Sequence, residues 1–246
     1  MAEFGTHIAS AFDRDLEGIQ AQIMKMGGLV EEAITKAARS LETRDEELAT
    51  EVRAGDAAID ALEESLNAEA ARVIALRAPT ATDLRVVLSV MRMSANLERI
   101  GDLSKNMAKR TGVLVQMQAI GGTATSLRRM AREVELMLSD ALDSYIQRDE
   151  ALALDVIERD RDVDQMYNTL FREFLTFMLE DPRNITACMH LHFIAKNIER
   201  MGDHVTSIAE QVVFLTSGRK PDEARVKDDR TSVDPKLSVD VAKNGD

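Results

Sequence analysis

The sequence predicts an all-α protein made of two tandem antiparallel three-helix bundles that are related by internal duplication. Hydrophobic residues make up 45% of the 246 residues, aromatic residues only 4%, and there is no Trp. A chain rich in Ala, Leu, Met, Glu and Arg favours helices over a β-sandwich. Apolar residues recur at helical spacings along six segments. The last three segments repeat the pattern of the first three, which predicts the duplication.

The first three segments predict the first bundle, at residues 1–118. Apolar residues between 12 and 41 alternate at spacings of four and three, as in a helix packed in a bundle. The sequence Thr-Arg-Asp-Glu at 43–46 resembles a capping box, so we expect the second helix to begin at about residue 44. Pro79 ends this helix, and the third runs from there to about Val115.

The second bundle is predicted at residues 119–217. Two adjacent glycines at 121–122 indicate a hinge between the bundles. Apolar stripes at 127–145 and 152–177 then predict the fourth and fifth helices. Asp-Pro at 181–182 has the form of an N-cap followed by proline at the first helical position, which predicts the start of the sixth helix.

Two sequence matches support the duplication. Arg-Asp-Glu at 44–46 recurs 104 residues later at 148–150. The motif Asn-x-Glu-Arg-x-Gly-Asp at 96–102 recurs 101 residues later at 197–203. A period of this length exceeds that of solenoid repeats, which span about 20–50 residues. Each repeat therefore corresponds to a whole three-helix bundle.

Charge and composition exclude several classes of protein. The formal net charge is −12, which makes binding to nucleic-acid phosphates unfavourable. A single cysteine, Cys188, excludes an internal disulfide and a cysteine-based zinc site. No signal peptide and no long apolar run are recognisable, so we expect a cytoplasmic protein without membrane insertion. Residues 218–246 combine charges, prolines and few apolar residues, and we expect a disordered acidic or polar tail.

Four carboxylate pairs spaced i, i+4 occupy equivalent places in the two copies. They are Asp56 with Asp60, Glu98 with Asp102, Asp160 with Asp164, and Glu199 with Asp203. This spacing places both acids of a pair on one helix face, away from the core stripe in the third and sixth helices. A single such pair is most simply a solvated face, and it destabilises a helix by roughly 0.2–0.5 kcal/mol. Four equivalent pairs favour a bound hard cation such as Mg²⁺, Mn²⁺, Ca²⁺ or iron.

Other candidate residues point to packing rather than catalysis. Gly101 and Gly202 each cost about 1 kcal/mol in a helix interior, which predicts close approach of a second helix with or without a functional role. His190, His192 and His204 have no counterparts in the first copy, so we expect them to be packing or surface residues. The sequence contains no nucleophile elbow, phosphate loop or Glu-x-x-His pair, and we therefore expect no enzyme.

The repeated motif resembles a signature of the PhoU family of phosphate transport accessory and regulatory proteins. The resemblance covers about residues 7–216, and it includes Met-Lys-Met-Gly at 24–27 and Arg-Ala-Pro-Thr-Ala-Thr-Asp-Leu-Arg at 77–85. It implies two three-helix bundles, frequent dimers and no established catalysis. It also implies action with a phosphate ABC transporter and a membrane sensor histidine kinase, keeping the phosphate-starvation response off when phosphate is plentiful.

The resemblance further implies divalent or trivalent metal clusters on the protein surface. The implied ligands are Asp56, Asp60, Glu98, Asp102, Asp160, Asp164, Glu199 and Asp203, and the choice among magnesium, manganese, iron and zinc stays open. Two alternatives to the regulatory role also stay open: a metal-dependent carboxylate-cluster enzyme and a plain structural or dimerisation module. The second copy departs from the family pattern, because Asp-Pro-Arg-Asn-Ile at 181–185 replaces the segment at 77–85. The two bundles are therefore expected to face different partners.

Overall fold

The computed structural model describes residues 2–79 and 81–219, with side chains described at 14–79 and 82–219. These residues form six α-helices and one 3-10 turn, Pro182–Asn184, and contain no strand. The helices are α1 (Ala2–Thr43), α2 (Glu46–Arg77), α3 (Ala81–Leu114), α4 (Thr123–Gln147), α5 (Glu150–Glu180) and α6 (Ile185–Ser217). The expected tail lies outside the described residues from Lys220 onward. No helix in the described ranges is long and apolar enough to cross a membrane.

Two three-helix bundles pack side by side, which confirms the predicted fold. Helices α1, α2 and α3 pack against one another, as do α4, α5 and α6. The bundles meet at two seams, where α1 packs against α4 and α3 against α6. Glu42 pairs with Arg128 near one end of the α1–α4 seam, and Gly27 contacts Leu142 farther along it, so these helices are antiparallel. The buried apolar residues form one core that is continuous through both bundles.

The predicted apolar stripes face this core. In α3 the five stripe residues are fully buried: Val90, Met93, Leu97, Ile100 and Met107. Ser104, which interrupts the stripe, is also buried, and its hydroxyl donates a 2.9 Å hydrogen bond to the carbonyl of Ile100. This bond satisfies the hydroxyl within its own helix, so a polar residue is tolerated in the core.

The predicted capping box at the start of α2 is wrong. The N-cap is Asp45, whose carboxylate accepts a 2.9 Å hydrogen bond from the amide of Leu48. The hydroxyl of Thr43 instead donates back to the carbonyl of Arg39 within α1. Arg44 ends α1 in the left-handed region, with φ 56°, so the first residue with the extended backbone of an N-cap is Asp45.

Arg44 ties the turn between α1 and α2 to the end of α3. Its guanidinium donates to the carbonyls of Leu114, Val115 and Met117 at 3.0, 2.8 and 2.6 Å. These carbonyls lie at and beyond the C-terminus of α3, where helix carbonyls lack intrahelical partners. Arg148, the equivalent residue, also has a positive φ of 54°, but among the described residues it donates to no carbonyl.

This difference predicts unequal effects for two matched substitutions. We expect Arg44→Gly to lower the free energy of unfolding by about 2 kcal/mol, because loss of the charged hydrogen bonds outweighs relief of left-handed strain. Arg148→Gly relieves the same strain and loses only a cation–π contact 5.1 Å from the Tyr145 ring, so a change within about 1 kcal/mol is expected. Urea unfolding of both variants checks this. Equal effects would show that the carbonyl contacts contribute nothing.

Candidate functional site

The first carboxylate group lies at the seam between α2 and α3. Asp56 and Asp60 come from α2, and Glu98 and Asp102 come from α3. Asp56 is only 4% exposed, whereas Asp60 is exposed and the α3 acids are half-buried. The ammonium of Lys105, one turn beyond Asp102, pairs with Asp56 and lies 3.5 Å from Asp102 Oδ1. The chain therefore supplies its own cation to this group.

The pKa values of two of these acids are shifted, in part by the charges of their neighbours in the group. Burial and the charge of Asp56 raise the pKa of Asp60, although Lys105 acts in the opposite direction. Burial raises the pKa of Glu98, with Asp102 adding to the shift and Arg99 opposing it. The hydrogen bond to Asp56 raises the pKa of Lys105. Additional positive charge at this seam is therefore favourable for Asp60 and Glu98.

The second carboxylate group lies at the seam between α5 and α6 and is more deeply buried. Its buried members are Asp160, Asp164 and Glu199, which are 3%, 1% and 2% exposed, while Asp203 is half-buried. Lys196 Nζ lies 2.9 Å from Glu199 Oε1. Thr206 stands where the first copy has Lys105, and its hydroxyl donates to the carbonyl of Gly202. The two groups thus have different charge environments despite the duplicated motif.

The expectation that the acids of the third and sixth helices lie away from the core is wrong for Glu199, and the implied surface position is wrong for four of the eight acids. The buried residues are Asp56, Asp160, Asp164 and Glu199. Helix periodicity gives the angle between a residue and the core stripe, but it does not show where a neighbouring helix packs. Here α2 covers one flank of α3 and α5 covers one flank of α6, so residues beside the stripe are enclosed by these seams.

The two motif glycines allow this close packing, which confirms the prediction for both. A Cβ at Gly101 would lie 3.0 Å from Ile59 Cδ1 on α2. A Cβ at Gly202 would lie 3.0 Å from Asp160 Oδ1 and 3.5 Å from Val163 Cγ1 on α5. Contacts this short are rare for real Cβ atoms, so a side chain at Gly202 would displace the carboxylate of Asp160. In the second copy the glycine therefore positions one of the candidate ligands.

The three candidate histidines were predicted to be packing or surface residues, and the structure places each against another side chain. His190 Nδ1 lies 3.3 Å from a guanidinium nitrogen of Arg110. His192 packs against Tyr167 and Phe171, with ring centroids 5.9 and 5.5 Å apart. His204 Nδ1 lies 2.9 Å from Asn96 Oδ1, so the first residue of one motif contacts the residue that follows the other. Sequence reasoning did not find this contact, because no spacing along the chain predicts the register of α3 against α6.

Whether these residues fit a metal ion depends on chemistry and placement. The donors are carboxylate oxygens, which suit hard cations. Asp56 Oδ1 is buried and has no hydrogen-bond partner among the described residues, so it could accept a ligand. Within residues 14–79 and 82–219, however, no three His, Cys, Asp or Glu side chains are placed to hold one ion together. Metal binding by the eight carboxylates stays a prediction.

Known proteins share both the sequence pattern and the fold. The family model described as "PhoU domain" matches residues 23–111 and 127–212, one match in each bundle. A relative from Zymomonas mobilis, named phosphate-specific transport system accessory protein PhoU homolog, is 46% identical over 90% of this chain and 94% of its own length. A relative of the same name from Rhizobium meliloti is 43% identical over 92% of this chain and 95% of its own.

Solved structures of PhoU proteins have the same fold as this chain. The crystal structure of PhoU from Pseudomonas aeruginosa superposes with a TM-score of 0.82 at 36% identity, covering 85% of this chain and all of that one. The phosphate transport system regulatory protein PhoU from Streptococcus pneumoniae superposes with a TM-score of 0.78 at 28% identity, covering 86% of this chain and all of that one. By family match, identity and coverage, this chain belongs to the PhoU family.

Proposed function

We propose that the chain is a regulatory adaptor of phosphate homeostasis, which represses the phosphate-starvation response when phosphate is plentiful. The observation that carries this proposal is 46% identity, over nine-tenths of the chain, to a protein named as a phosphate-specific transport system accessory protein. The two side-by-side bundles support an adaptor role, because they offer long helix faces on which partner proteins can dock. Negative regulation follows from the role implied by the family resemblance.

The proposed partners are the ATPase component of a phosphate ABC transporter and a membrane sensor histidine kinase. In this proposal the chain works in the cytoplasm as a homodimer and reaches the membrane only through these partners. Affinity capture with immobilised chain should retain the ATPase component, the cytoplasmic part of the kinase, or both, at micromolar concentrations. Absence of both from the bound fraction, with correctly folded proteins, would contradict the adaptor role.

We also propose that the eight carboxylates hold divalent or trivalent metal ions at the two seams. The α5–α6 group is the stronger candidate, because three of its four carboxylates are buried; an ion there would have to displace Lys196 from Glu199. In the α2–α3 group a metal ion would have to displace Lys105 from Asp56. A bound ion would replace repulsion between neighbouring carboxylates by attraction and would fix the spacing of the two helices.

Metal content after carboxylate substitution tests this proposal. We expect Glu199→Ala/Asp203→Ala to lose most of the metal that elemental analysis finds in the wild-type chain, and Glu98→Ala/Asp102→Ala to lose less. Glu47→Ala/Glu64→Ala removes two exposed acids of α2 and should change nothing. Circular dichroism confirms that each variant is folded. Unchanged metal content in both motif variants would overturn the ligand assignment.

A further inference from the structure

The seam between α1 and α4 contains a basic groove on an otherwise acidic protein. The groove has a volume of about 610 Å³ and is lined by four arginines: Arg39, Arg128, Arg129 and Arg132. Only two carboxylates, Glu133 and Glu135, share its lining. In a chain with a net charge of −12, this local excess of positive charge is a distinct feature of the surface.

Two of the four arginines have no counter-charge in the described part of the chain. Arg128 pairs with Glu42 at 2.7 Å, and Arg132 pairs with Glu135 at 2.5 Å. Arg39 makes no ion pair with any residue that the structure describes. The same holds for Arg129, although Glu133 is close to it along the helix.

Glu133 is engaged elsewhere. Its Oε1 lies 3.0 Å from Arg159 Nη2 on α5, and Arg159 also pairs with Asp140. Both lining carboxylates are therefore already neutralised by an arginine. The guanidinium groups of Arg39 and Arg129 remain available to an external anion.

The floor of the groove is apolar. Ile34 and Ala38 of α1 and Ala131 of α4 are buried there, and Met166 of α5 lies at its side. A second groove of about 480 Å³ between α4 and α5 adjoins it, since both are lined by Arg129 and Met166. The α1–α4 groove alone has the size of a small-molecule site, for which about 300–1,000 Å³ is usual. The second groove adds two carboxylates to the lining, Asp162 and Glu173, so the phosphates are placed in the first.

We propose that this groove binds a nucleotide-type ligand, with its phosphates against the arginines and its base against the apolar floor. Guanidinium groups match phosphate oxygens with paired, charge-assisted hydrogen bonds. A planar base stacks on guanidinium planes and on the thioether of Met166. Inorganic phosphate would use the arginines but would leave the apolar floor uncovered. The site goes beyond the regulatory role proposed above, and it lies at a different seam from the candidate metal ligands.

Calorimetric titration of the full chain with ADP tests the proposal. We expect saturable binding that weakens when salt is raised from about 50 to about 200 mM. Adenosine and inorganic phosphate, each supplying one half of the ligand, should bind more weakly than ADP. Arg39→Gln/Arg129→Gln should weaken ADP binding at least about tenfold.

The matched control removes two exposed arginines that also make no ion pair among the described residues. It is Arg53→Gln/Arg172→Gln, on α2 and α5, and it should bind ADP like the wild-type chain. Thermal melts show that both variants are folded, since neither replaces a core residue.

Four results would overturn the proposal. They are no ADP binding by the folded chain, equal binding of ADP and inorganic phosphate, equal losses in the two double variants, and a change of oligomeric state in Arg39→Gln/Arg129→Gln. The last would identify a second copy of the chain as the occupant. None of these results bears on repression of the phosphate response, so failure here is distinguishable from failure of the proposed function.

Discussion

We expect Lys105→Met to lower the free energy of unfolding of the metal-free protein by about 3 kcal/mol. Lys105 pairs with Asp56, which is only 4% exposed and lies in a seam with three other acids. Removing the ammonium leaves a buried carboxylate without its counter-charge. Methionine fills a similar volume but carries no charge. Guanidinium chloride unfolding in the presence of a chelator measures the loss.

The double variant Asp56→Asn/Lys105→Met is the control for this prediction. It removes both charges, so it should recover most of the stability that Lys105→Met loses. If metal binds at this seam, adding Mn²⁺ should also stabilise Lys105→Met more than the wild-type chain, because the ion no longer competes with the lysine. A Lys105→Met protein as stable as the wild type in chelator would contradict the assigned ion pair.

The second large effect concerns the α1–α4 seam, where Gly27 packs directly against Leu142. A Cβ at Gly27 would overlap Leu142 Cδ1, and Leu142 is itself only 2% exposed. We expect Gly27→Val to lower the free energy of unfolding by about 3 kcal/mol, because the stiff, branched side chain must push α1 away from α4. Thermal and urea unfolding measure the change.

The chain offers both a control and a rescue for this substitution. Gly28 is the next residue in the same helix, and a Cβ added there meets nothing within 4 Å. Gly28→Val should therefore be neutral or slightly stabilising. Leu142→Ala in the Gly27→Val background should restore part of the lost stability, since it returns the volume that valine takes up. Equal effects at the two glycines would contradict the close contact.

The fold could be predicted because several local signals agree. The stripe of α3 and the duplicated motif indicate the same two bundles. Asp181 accepts from the amide of Arg183, but it caps the 3-10 turn Pro182–Asn184, so the sixth helix begins at Ile185 and not at the predicted Pro182. The predicted start of α2 lies two residues before the observed one, Glu46, because Thr and Asp are both good N-caps. The left-handed backbone of Arg44 decided between them.

Less of the candidate site could be predicted. Spacing identified the carboxylate pairs and the two glycines, but it did not reveal that Glu199 is buried or that Lys105 lies among the first group of acids. Both depend on how neighbouring helices pack, which periodicity within one helix does not contain. The contact between Asn96 and His204 was missed for the same reason.

The basic groove was also missed, because its arginines do not belong to the duplicated pattern. Arg128, Arg129 and Arg132 correspond to Met24, Lys25 and Gly28 in the first copy. The net charge of −12 also gives no indication of a local basic surface. Only the antiparallel packing of α1 against α4 brings Arg39 beside the α4 arginines.

Alkaline phosphatase activity, as a reporter of the phosphate-starvation response, tests the central claim most directly. It is measured in cells that lack this protein and grow in high phosphate, beside cells in which the gene has been restored. We expect high activity without the protein and repression once the wild-type chain is restored. Unchanged repression in the absence of the protein would contradict its assignment as a negative regulator.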